Sequence, residues 1–110
     1  MTWAECEQIL KLVGNNVRRH RINLGLTQEE LAKRTKIFSR TSITNIESGR
    51  QKMTILTLIA VSRALGVAPA DLLQDYVEDV IEIQVAGQTM YVPTSVAESL
   101  IDSMYMVKTE

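Results

Sequence analysis

One cysteine, Cys6, stands in the chain. It excludes an internal disulfide and a cysteine-built metal site, and it reads as a small apolar filler. One histidine, His20, excludes a histidine pair for metal binding or proton transfer. His20 is expected at the surface or beside a phosphate. Aromatic residues make up 5% of the 110 positions, which favours aliphatic helix packing over a β-sandwich. No apolar run is long enough to span a membrane, and no charged-then-apolar leader is present. A cytoplasmic chain with no membrane partner is expected. There is no glycine-rich phosphate loop, no HExxH and no Cys–His constellation. Neither an enzyme nor a cofactor is therefore expected.

Net charge is also small, at −1, but the total conceals a division. Residues 18–52 hold nine cations and three carboxylates, a balance of +6. Residues 53–110 hold two cations and eight carboxylates, a balance of −6. One part of the molecule can face an anionic partner and another cannot. Asp75, Glu78, Asp79 and Glu82 cluster without calcium-loop spacing. They form a solvated edge that repels polyanions or meets a partner's basic face.

The first 75 residues read as five short helices with tight links. Ile9, Leu12, Val13 and Val17 recur at three and four, giving a first helix over 4–24. Arg18, Arg19, His20 and Arg21 sit in its last turns, where the dipole favours cations, and Gly25 ends it. Thr27 and Glu30 form a capping box that opens a second helix, with Leu31 and Ala32 inward. Thr35–Phe38 is a brief connection to a third helix over 39–48. Thr54 caps a fourth, packed through Ile55, Leu58, Ile59, Ser62 and Leu65. Pro69 opens a fifth, ending at Leu72–Leu73, although Ala68 is a poor cap.

From residue 76 the period changes to two. Val80, Glu82 and Gln84 alternate with Ile81, Ile83 and Val85. Ala86-Gly87 marks a turn, 88–92 returns as a second strand, and Pro93 stops it. Ser95 and Glu98 make another capping box, for a last helix through about Met106. A lone hairpin is marginal in water. The 76–110 ββα tail therefore needs a packing partner, either as a flap over the five helices or against a second copy, and a role in homodimerisation is expected.

The stretch that combines caps, an apolar seam and a polar face is Ser39–Gly49. Ser39 can cap it, and Gly49 can end it in the left-handed conformation. Ile43 and Ile46 face inward. Arg40, Thr41, Thr44 and Asn45 form the outer stripe, short and rich in hydrogen-bonding groups. Such a stripe suits a DNA major groove, where Arg reads guanine and Asn reads adenine. Two short helices joined this closely make a helix-turn-helix.

Arg21–Ala32 and Thr41–Gln51 together resemble the Cro/C1-type (XRE-like, lambda-repressor-like) helix-turn-helix family of phage repressors and their bacterial relatives. Leu65–Leu73 resembles the end of the same domain. The likeness covers roughly residues 8–74 and leaves the tail aside. It implies a mainly α fold: a five-helix DNA-binding domain over 1–75, here followed by the hairpin and helix. It implies a dimeric transcriptional regulator, a repressor, on a pseudo-palindromic operator of double-stranded DNA. Arg40, Thr41, Thr44 and Asn45 would face bases. Gln28, Ser39, Arg50, Lys52 and Arg19 are the expected phosphate contacts. Arg21 and Glu47 match an internal salt bridge of the phage repressors. The pair also makes local sense, because Glu47 follows the inward Ile46 and needs a cation if buried.

The turn departs from the family. A glycine is usual near Lys36, and the span from Leu31 to Glu47 is one residue longer, with the extra residue around Ile37–Phe38. Two other functions fit the same scaffold. One is an antitoxin or restriction–modification controller whose tail binds a partner protein. The other is a protein-interaction module that has lost DNA binding.

Overall fold

The computed structural model describes residues 1–76 and 80–93. It divides into two units, Met1–Tyr76 and Val77–Glu110. The first contains α1 (Trp3–Asn23), α2 (Gln28–Thr35), α3 (Arg40–Glu47), α4 (Ile55–Leu65) and a short 3₁₀ helix (Pro69–Leu73). The second contains β1 (Val80–Val85) and β2 (Gln88–Pro93).

Each α-helix begins on a hydroxyl that accepts a backbone N–H. Thr27 accepts from Glu30, Ser39 from Ser42 and Thr54 from Thr57. α1 has such a cap as well, unforeseen in the sequence: Thr2 accepts from the Glu5 N–H while the Glu5 carboxylate accepts from the Thr2 N–H. These side chains satisfy donors that a helix start leaves orphaned.

Apolar residues at helical spacing then close one core. Val13 and Val17 of α1, Leu31 and Ala32 of α2, Ile43 and Ile46 of α3, Val61 and Leu65 of α4, and Leu72 are buried together. Ile9, Leu12, Phe38 and Leu58 pack on its margin. The expected stripe of α4 needs one correction. Ile55 is 76% exposed, because it lies at the first helical position, ahead of the buried row Thr57, Val61, Ser62 and Leu65.

The fifth short helix is a 3₁₀ helix. It has five residues, and Ala68 offers no side-chain acceptor at its start. The Asp71 carboxylate instead accepts from the Ala68 N–H, and the chain closes with i→i+3 bonds. Asn16, buried in α1, donates to the carbonyls of Leu72 and Gln74 and so fastens this segment.

In the second unit the strands pair antiparallel, with Glu82 opposite Tyr91 and Gln84 opposite Thr89. Ala86 (φ 51°) and Gly87 (φ 78°) form the two-residue turn, both left-handed as a tight hairpin requires. β2 runs through Pro93, one residue beyond expectation. The helix expected after Ser95 lies outside the described residues.

Candidate nucleic-acid interface

Two helix contacts set α3 in place. Gly14, midway along α1, lets the backbones of α1 and α3 meet. A Cβ there would collide with the Ile46 carbonyl oxygen and stand 2.7 Å from that of Glu47. On the other side, α2 and α3 are joined by a four-residue connection organised by Thr35. Its hydroxyl donates to the Ala32 carbonyl and accepts from the N–H of Phe38 at 3.1 Å. Lys36 takes the left-handed conformation (φ 64°) where the family uses glycine. Phe38 packs on the core and Ile37 is left exposed. The lengthened turn is thus an ordered one.

The ion pair expected from Glu47 is present. Arg21 Nε donates to Glu47 Oε2 at 2.7 Å and Nη2 to Oε1 at 2.9 Å, a two-pronged contact between a buried Glu47 and a partly buried Arg21. Arg21 Nη1 also donates to the Leu26 carbonyl. Gln28 Nε2 donates to Glu47 Oε1 at 3.3 Å, and Thr44 Oγ1 donates to Gln28 Oε1 at 2.8 Å. One chain of contacts therefore ties α1, the start of α2 and the outer edge of α3. It borders a cleft of about 310 Å³ lined by Arg18, Arg21, Gln28, Thr44, Glu47 and Ser48.

Of the four side chains assigned to bases, Arg40, Thr41 and Thr44 are exposed and Asn45 is half-buried. With Ile43 and Ile46 turned inward, Thr41 and Asn45 lie opposite them, and Arg40 and Thr44 lie on the flank next to α2. Arg18, Arg40 and Arg50 form no hydrogen bond or ion pair through their guanidinium groups among the described residues. They are available to an outside anion. Ser39 spends its hydroxyl oxygen on the Ser42 N–H. Lys52 holds its ammonium 4.8 Å from the centre of the Trp3 ring, a cation–π contact at the start of α1.

Arg19 is engaged within the protein. It donates to Gln74 Oε1 at 2.8 Å and pairs with Asp75. Its neighbour Arg18 lines the cleft with Arg21, beyond the helix-end role expected of it. The available signal was its three-residue spacing from Arg21, which puts the two on one helix face. Ser48 was missed as well. His20 is half-buried, and its Nε2 is enclosed without a hydrogen-bond partner among the described residues.

This arrangement is that of a helix-turn-helix domain, and residues 17–72 match the helix-turn-helix family model HTH_3. The chain belongs to that family, the Cro/C1-type helix-turn-helix transcriptional regulators. It is similar to the uncharacterised HTH-type transcriptional regulator y4dJ of Sinorhizobium fredii, with 44% identity over 62 residues, covering 56% of this chain and 79% of that one. Among solved structures it is similar to the hypothetical transcription factor NHTF from Neisseria. That likeness has 26% identity and a TM-score of 0.57 and covers 86% of this chain and 87% of that one. It is also similar to the restriction-modification controller protein C.Esp1396I, solved as a tetramer with its natural 35-base-pair operator. There the identity is 29% and the TM-score 0.55, covering 60% of this chain and 86% of that one. Among the described residues no helix is long and apolar enough to cross a membrane.

Proposed function

We propose that the protein is a cytoplasmic, sequence-specific regulator that binds a pseudo-palindromic operator as a homodimer and represses by occupying it. The observation that carries this is α3 itself. Its inner face is locked by Ile43, Ile46 and a doubly bonded Glu47, while Arg40, Thr41, Thr44 and Asn45 make up its outer side. These four would read base edges. Arg50, Gln28, Ser39 and Lys52 would hold the backbone phosphates that fix register. Arg18 joins them beside Arg19, which would leave Gln74 and Asp75 to do so. Lys52 would leave Trp3 to do so. Two α3 helices about 34 Å apart would then enter successive major grooves on one face of a duplex. The tail would supply the contact between copies, and no catalytic step is involved.

Selection of bound duplexes from a random pool by the full chain tests this. The expected product is two half-sites related by a dyad, their centres about 10 base pairs apart or a multiple of that. Recovery of no preferred sequence at low salt, where phosphate affinity is greatest, would refute it. The likeness to C.Esp1396I favours one variant, a restriction–modification controller on this scaffold. In that case the selected operator would lie upstream of a restriction gene.

A further inference from the structure

We propose that Thr44 reads the 5-methyl group of a pyrimidine in the major groove, thymine in unmodified DNA. This assignment rests on the operator-binding function proposed above.

A threonine hydroxyl has a single proton. Two acceptors within the protein lie in reach of it: Gln28 Oε1 at 2.8 Å and the Arg40 carbonyl oxygen at 3.0 Å. The Gln28 amide has its orientation set by Glu47. That carboxylate only accepts, so Nε2 faces it at 3.3 Å and Oε1 is left towards Thr44. Turning the amide over would set two oxygens against each other, and the Arg40 carbonyl would still hold the Thr44 proton. In either arrangement the hydroxyl donates inward.

The exposed side of Thr44 therefore has no donor to offer. Guanine presents only acceptors in the major groove, O6 and N7, and Thr44 cannot satisfy them. Its oxygen is drawn towards α2 and the preceding turn and can only accept from outside, so the one apolar group Thr44 can present to the groove is the Cγ2 methyl. An apolar group of that size at a groove-facing helix position matches the methyl at pyrimidine C5, the one apolar feature in the groove. Thymine and 5-methylcytosine both carry it.

The test uses the full chain and the duplex it selects. Each thymine in turn is replaced by uracil, which removes the methyl and leaves pairing intact. One position per half-site is expected to lose about fourfold in affinity, the worth of one buried methyl. Thr44→Ser keeps the inward hydroxyl and lacks the methyl. In that variant the same uracil substitution is expected to change nothing. Placing a C·G pair at that position and then methylating its cytosine is expected to restore about fourfold for the native chain and none for Thr44→Ser. A gain there with no uracil effect elsewhere would identify methylated cytosine as the ligand. Indifference of the native chain to every uracil and to cytosine methylation, or equal sensitivity in Thr44→Ser, would overturn the assignment while leaving operator binding intact. Failure to select any duplex would overturn both, and the selection step alone reports it.

Discussion

Glu47 is the residue that holds the recognition helix in orientation. It is buried on α3 and receives donors from Arg21 of α1 and Gln28 of α2. A buried carboxylate stripped of its cation is costly, so Arg21→Ala is expected to lose about 3 kcal/mol of stability. Urea unfolding measures it, and an unchanged midpoint would show that the pair holds nothing together. Lys36 is the reverse case. It occupies the left-handed region, and glycine adopts that conformation without Cβ strain. Lys36→Gly is expected to gain about 1 kcal/mol, seen as a raised Tm. The ion pair was legible in the sequence because a glutamate beside an inward isoleucine needs a partner, and Arg21 and Glu47 match an internal salt bridge of the phage repressors. That Arg18, and not Arg19, lines the cleft was not. Neighbouring helical residues point about 100° apart, and which of the two meets α3 depends on how α1 is rotated against it. Local sequence carries no record of that rotation.

Elements that depend on local bonds were the ones most fully legible. The caps at Thr27, Ser39 and Thr54, and the hairpin turn at Ala86-Gly87, are contained within a few residues. The α2 cap has a pH signature. The Thr27 backbone N–H, and after it the Thr27 hydroxyl, hold the Glu30 carboxyl below its ordinary range. A lowered folded pKa means that this carboxylate's contribution is present above the unfolded value and is lost as pH falls through the folded one. Thr27→Ala removes the hydroxyl part, so an NMR titration is expected to show the Glu30 carboxyl moving upward. No movement would detach Glu30 from the cap. Gly14 was not legible, because its requirement comes from α3, more than thirty positions away. Alanine in a helix is worth about 1 kcal/mol over glycine. Here it meets two backbone carbonyls, which cannot move as a side chain could. Overpacking of this kind costs about 1–3 kcal/mol, and the clash is expected to win. Gly14→Ala should lower the Tm and weaken DNA binding by displacing α3, and a rise in Tm would contradict the close approach. The fifth segment was legible as a short helix but not as a 3₁₀ one, because its apolar residues and proline fit either type, and only the missing cap at Ala68 pointed to the tighter one.

At the scale of the molecule, the division of charge matters more than the net value of −1. The positive segment includes the cleft and α3, and the carboxylates gather after it. Binding should therefore weaken steeply with salt, as counterions return to the phosphates. The two kinds of contact proposed for this surface make opposite demands on it. Phosphate contacts act alike on every sequence, and base contacts act on one position. The most direct measurement is binding-site selection, with affinities across salt, for Asn45→Ala beside Arg50→Ala. Arg50→Ala is expected to keep the native sequence preference, bind all duplexes more weakly and lower the salt slope by about 1. Asn45→Ala is expected to relax one position per half-site, at a cost of about 1–3 kcal/mol there, with its salt slope intact. An Asn45→Ala profile identical to that of the native chain would contradict base reading by the outer face of α3.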